Sequence, residues 1–120
     1  MMGDFDLPLI GGYSLVRESP DSVEVLHMRD SDHLGVSAKV VEIAWNERFI
    51  LAKRQELKPR SRFQGDVLLV PVTGKFDFWI IDTVQTNRYG PLSEKEFGEK
   101  VQSLGQTGLK LKDISRVKKS

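Results

Sequence analysis

The sequence predicts an α+β fold, an antiparallel β-meander of about six strands with one C-terminal helix packed on the sheet. Three observations carry this prediction. Short apolar runs rich in β-branched and aromatic residues recur through the first ninety positions, separated by Gly, Pro, Asn, Asp and Ser clusters. The run Phe78-Trp79-Ile80-Ile81 is too short for a helix and reads as a strand covered on both faces. After it comes a complete helix start, Ser93-x-x-Glu96, followed by a periodic apolar face.

In chain order, residues 1–11 read as a lead-in arm ending at Gly11-Gly12. Tyr13–Arg17 and Ser22–Met28 read as two strands joined through Ser19-Pro20-Asp21, where Pro20 presets φ for a turn. The second alternates apolar and polar positions and should be half-buried. Arg29–Gly35 is polar and reads as a loop. Val36–Trp45 and Arg48–Arg54 form a hairpin around Asn46-Glu47. Its second arm, Phe49-Ile50-Leu51-Ala52, is apolar throughout and belongs in the sheet centre.

Gln55–Gly65, with Pro59 and several charges, reads as the most loop-like interior segment. Val67–Val72 returns to strand composition, with Pro71 marking an edge or an early end. Thr73-Gly74-Lys75 reads as a turn into Phe76–Thr83, and Gln85–Arg88 as a second turn. Pro91, lacking an N–H, should close the ladder, so the sheet is expected over residues 12–90.

The helix is expected over 93–104. Ser93 and Glu96 form a capping box, Leu92 and Phe97 a hydrophobic staple, and Phe97, Val101 and Leu104 a buried face that Gly105 ends. Residues 109–120 form a basic tail whose Leu109, Leu111, Ile114 and Val117 are suited to anchoring a strand or helical turn, with a frayed end expected.

At 120 residues, 39% hydrophobic and 29% charged, the chain fits one globular domain with one core. It holds no cysteine, which excludes disulfides, thiolate metal sites and cysteine nucleophiles. No apolar run approaches the roughly 20 residues that span a bilayer. The start MMGDFDLPLIGG lacks the basic and apolar regions of a signal peptide, so the expected location is cytoplasmic, without a membrane partner. The net charge of +1 hides an asymmetry: the first third is acidic, while Arg54–Arg62 and Lys110–Lys119 are basic.

The segments GGYSLVR, EIAWNERFILAKR, FWIIDT and YGPLSEKEF make the chain resemble a family of small bacterial proteins of unknown function, many of whose members are lipoproteins. The resemblance covers most of residues 11–112 and rests on turns, buried strands and a helix start. It implies a single β-rich domain and, the family having no assigned activity, no catalytic residue. The chain departs from the lipoprotein members in having neither signal peptide nor a cysteine to lipidate.

Candidate chemistry is sparse. His27, Asp30, Asp32 and His33 crowd together with metal-capable side chains, but their spacing matches no ligand motif, and a solvated loop is the expectation. Asp82 ends the most buried strand and is the candidate functional carboxylate. Desolvation would suit it to general-acid work, whereas a turn aspartate ordinarily accepts backbone and hydroxyl hydrogen bonds. No phosphate-binding glycine loop and no nucleophile elbow occur. No catalytic, cofactor-binding or metal residue is assigned, and no cofactor is expected.

The candidate interaction surface is basic: Lys58, Arg60, Arg62 and Phe63 in the loop, with Lys110, Lys112 and Arg116 in the tail. The expected function is therefore a non-enzymatic protein-interaction module, of inhibitor or immunity type or self-associating, that engages a protein through a sheet edge or exposed loop. The alternatives are a nucleic-acid-binding accessory protein using the basic loop and tail, not favoured by the near-zero net charge, and a small enzyme using Asp82 or His27 and His33.

Overall fold

A computed structural model describes residues 5–29, 34–65 and 68–117 of the chain. Eight strands and one helix run through them: β1 (Phe5–Pro8), β2 (Tyr13–Ser19), β3 (Ser22–His27), β4 (Val40–Trp45), β5 (Phe49–Pro59), β6 (Leu69–Asp82), β7 (Asn87–Leu92), α1 (Glu94–Ser103) and β8 (Lys112–Asp113), followed by a 3-10 turn at Ile114–Arg116. The α+β class stands, but the strands are eight rather than about six, and they form two antiparallel sheets rather than one meander. The smaller sheet has the order β1-β2-β3 and the larger β7-β6-β5-β4-β8. An isolated bridge, Val25 to Val36, ties the crossing segment back to the small sheet.

The second sheet answers a need written into β5 and β6. A strand apolar on both sides must be covered on both sides, and one helix covers only one. Ile50, Ala52 and Ile81 point to a core shared with Tyr13, Leu15, Val23 and Val25 of the small sheet. Phe49, Leu51 and Ile80 point the other way, to a core closed by Val101 with Phe97 and Leu104 of α1. The result is three layers, small sheet on large sheet on helix, with the large sheet buried between.

The helix forms as its sequence dictates. Ser93 Oγ accepts from the Glu96 amide at 3.1 Å while Glu96 Oε1 accepts from the Ser93 amide at 2.8 Å, which completes the capping box. That reciprocal bonding holds the Glu96 carboxyl below its ordinary range. Phe97 stacks on Phe78 with ring centroids 4.9 Å apart, which fixes α1 across β6.

Four local expectations are corrected. The lead-in arm contains β1, which pairs with β2 from Phe5↔Arg17 to Pro8↔Ser14. Gln55–Gly65 is not chiefly a loop, because β5 continues to Pro59 and pairs with β6 through Pro59↔Leu69. Thr73-Gly74-Lys75 does not separate two strands. Between the pairs Gln55↔Phe76 and Leu57↔Pro71, Glu56 faces residues 72–75, so the turn signal is realised as a bulge inside β6. Pro91 does not end the ladder either. Gly90 and Pro91 lie together opposite Trp79, between the pairs Ile80↔Tyr89 and Phe78↔Leu92, on an edge strand where a bulge needs no donor from proline. Pro71 fits its position because β7 stops at Phe78, leaving that stretch of β6 paired with β5 alone.

The C-terminal segment wraps round the free edge of β4. Leu109 and Leu111 pack with the helix-side core, β8 pairs with Glu42 and Ile43, and Ile114 and Val117 pack with the core of the small sheet. Residues 118–120, including the basic Lys118 and Lys119, lie outside the described residues.

Candidate functional site

Asp82 is buried at the end of β6, and four donors already engage it. Arg48 presents Nε to Oδ1 at 3.0 Å and Nη2 to Oδ2 at 2.8 Å. The amides of Val84 and Gln85 donate to Oδ1 at 3.1 and 3.2 Å. The Arg48 hydrogen bonds, helped by those amides, outweigh desolvation and hold the carboxyl below its ordinary range. Asp82 is thus an ionised acceptor at neutral pH, the reverse of the proton-bearing acid that burial alone would make. Its partner strand closes the same turn: the Arg48 carbonyl accepts from the Thr83 amide at 2.9 Å and from Thr83 Oγ1 at 2.6 Å. Gly11 lies so close to this turn that a Cβ there would sit 2.8 Å from Thr83 Cβ, and its φ of 64° disfavours a side chain as well.

The histidine cluster is split by what the structure describes. His27 Nδ1 accepts from the Arg29 amide at 3.1 Å, and its ring stands edge-on to Tyr13 at 4.6 Å. Asp30, Asp32 and His33 lie outside the described residues. Among those described, no three His, Asp or Glu side chains gather as a metal site would require.

The basic candidates divide into two places. Lys58, Arg60, Arg62 and Phe63 lie on a ribbon formed by the outer halves of β5 and β6. Beyond Gln55 this ribbon has no described strand on either side. Its four residues Glu56–Pro59 alone reach about 13 Å at the usual rise per residue of a strand. None of the described residues from Lys53 to Asp77 is buried. Phe63, Leu68 and Leu69 are exposed large apolar side chains at its tip, and Phe63 is the most open of the three at 75%.

The ribbon is clamped where it leaves the body. Arg54 and Asp77 face each other across β5 and β6, with Arg54 Nη1 donating to Asp77 Oδ2 at 2.7 Å. Trp79 Nε1 donates to the other carboxylate oxygen at 2.7 Å, and Arg54 Nε donates to the Ala38 carbonyl at 2.9 Å. Lys53 Nζ lies 4.3 Å from the Phe76 ring centroid, a cation–π contact across the same two strands. Sequence reasoning missed Asp77. Its charge pairing with Arg54 depends on the register of β5 and β6, which the bulge offsets from any simple count.

Lys110, Lys112 and Arg116 gather instead at the β4 edge, round a cleft of about 560 Å³ walled by Ala44, Trp45 and Leu109. Asn46 braces this end, its Nδ2 donating to Gln106 Oε1 at 2.8 Å. Thus the structure places the loop and tail cations on separate elements, the ribbon tip and the β4 edge, rather than on one continuous strip.

A family model described as "Protein of unknown function (DUF3997)" matches residues 10–115 of the 120. The chain belongs to the DUF3997 family. No curated protein matches it, and no solved structure does. The DUF3997 match bears out the resemblance to a small family of unknown function. It also runs from β2 through the large sheet, the ribbon, the helix and β8, so these belong to the family's single domain, while β1 lies before the matched residues. DUF3997 membership assigns no residue a role, and the roles that follow rest on the geometry of this chain.

Proposed function

We propose that this DUF3997 protein is a non-enzymatic interaction module whose working element is the β5–β6 ribbon, engaging a protein partner through an acidic surface. One observation carries the reading: from Lys53 to Asp77 no described residue is buried, although the segment is ordered into paired strands. Ordering a chain costs roughly 1–2 kcal/mol per residue in backbone entropy, and a ribbon whose described side chains are at most partly buried recovers only some of it within the molecule. Apolar side chains at the tip and free strand edges on both sides provide the burial and the ladder bonds that a partner can complete.

Charge selects the partner's character. Lys58, Arg60, Arg62 and Lys75 outnumber Glu56 and Asp66 in residues 56–75 of the sequence, so an acidic surface is favoured and a basic one repelled. The two enzyme sites considered from sequence gain no support: Asp82 is committed to Arg48 and its own turn, and His27 faces Tyr13.

The test is a charge reversal. A Lys58→Glu, Arg60→Glu, Arg62→Glu variant should keep its thermal midpoint and lose binding to the partner, and wild-type binding should weaken steeply with added salt. Unchanged affinity in the variant would overturn the reading.

A further inference from the structure

We propose that the cleft at the β4 edge is a binding site for a small organic anion with a flat apolar body. It stands apart from the ribbon and does not depend on the ribbon's role. β8 pairs with β4 only at Glu42 and Ile43, so beyond Ile43 the edge at Ala44 and Trp45 has no described strand beside it. The chain returning from α1 arches over this gap, and the space between is the cleft of about 560 Å³. That volume is in the range of small-molecule sites.

The lining has two chemistries. Lys110, Lys112 and Arg116 supply three positive charges, and no carboxylate lines the cleft with them. The ion pairs of the described residues join Lys39 to Asp21, Arg48 to Asp82, Lys53 to Glu42 and Arg54 to Asp77, and use none of the three. Asp113, the one acidic residue in the segment 105–117, is spent on the 3-10 turn, where Oδ1 accepts from the Ser115 amide at 2.9 Å. Asp113 offsets part of this charge through its attraction to Arg116, and the positive excess that remains favours an anion. Arginine suits a planar carboxylate or a phosphate through paired N–H donors, and lysine adds point charges.

The rest of the lining is apolar: half-buried Trp45 with Val117, which pack toward the small-sheet core, and Ala44 with Leu109, which pack toward the helix-side core. An inorganic anion would leave this apolar lining in water, whereas a neutral aromatic would leave the cations unused. An aromatic carboxylate or phosphate uses both halves.

The probe is 1-naphthyl phosphate, titrated calorimetrically into the full chain, with inorganic phosphate and 1-naphthol as its two halves. Saturable binding is expected, with each half weaker by about tenfold or more. The exposed double substitution Lys110→Gln, Arg116→Gln should weaken binding by about tenfold or more at an unchanged thermal midpoint. In NMR spectra the Trp45 indole N–H signal should move on titration and that of Trp79 should stay. The proposal is overturned by absent saturation at millimolar probe, by wild-type affinity in the double variant, by inorganic phosphate binding as tightly as the probe, or by a shift confined to Trp79.

Discussion

Arg48 and Asp82 meet in a two-pronged ion pair, Nε to Oδ1 at 3.0 Å and Nη2 to Oδ2 at 2.8 Å, across the end of the β5–β6 ladder. The pair joins the start of one central strand to the end of the other, and the same carboxylate caps the turn into β7 through the Val84 and Gln85 amides. Asp82 is therefore a structural anion. Because its folded pKa lies below the ordinary value, its stabilisation is fully present above the unfolded pKa of about 3.9 and is lost as pH falls through the folded one. Asp82→Asn should destabilise the fold by about 2 kcal/mol at pH 7. The gap from wild type should close in acid below about pH 4. Urea unfolding of both proteins at neutral and acid pH measures this.

Gly90 packs under the Trp79 ring. A Cβ at Gly90 would overlap the indole and sit 3.0 Å from the Phe78 carbonyl oxygen, at a φ of 150° that side chains rarely adopt. Gly90→Ala should therefore cost about 2 kcal/mol or more and displace Trp79. A lower thermal midpoint with a changed tryptophan fluorescence maximum is the expected result.

Asp77 ties Arg54 to Trp79 at the root of the ribbon. Asp77→Ala removes an acceptor from two donors and should cost about 1–3 kcal/mol. The loss should be local: amide exchange should speed up along Glu56–Pro59 and Leu69–Lys75 more than in the β2–β3 pair, as hydrogen-exchange mass spectrometry resolves.

Excising the ribbon should leave the body folded. Replacing residues 57–74 by Asn-Gly would extend the pair Gln55↔Phe76 by one, Glu56 opposite Lys75, and close the hairpin with a two-residue turn. No described residue in the removed stretch is buried. A single cooperative transition close to the wild-type midpoint is expected in calorimetry.

Much of this fold was legible in the sequence because its signals were local. The capping box at Ser93 and Glu96 and the apolar face of Phe97, Val101 and Leu104 need only residues a few positions apart. The burial of Phe49–Ala52 and Phe78–Ile81 on both faces is legible too, and a helix on one face then requires a second layer on the other. The small sheet supplies it, and nothing local in Tyr13–Met28 shows that those strands leave the large sheet.

The ribbon was hidden for another reason. Pro59, Gly65, Pro71 and Gly74 are all turn formers, and within a solvated two-stranded ribbon they sit at a strand end, the tip, a free edge and a bulge without breaking the pairing. The candidate surfaces were partly legible. Composition identified the basic residues, but only the wrapping of residues 108–117 round β4 brings Lys110, Lys112 and Arg116 to one cleft away from Lys58, Arg60 and Arg62.

The central claim is that the ribbon exists for contact. Its most direct test places a photo-cross-linking amino acid at Phe63, and in a control at Gln102 on the exposed face of α1, and compares adducts formed in the native cell. The claim predicts a discrete protein adduct from position 63 alone, on a protein with an acidic surface, abolished when Lys58, Arg60 and Arg62 are reversed to glutamate. Equal adducts from positions 63 and 102, or a position-63 adduct that survives charge reversal, would contradict it.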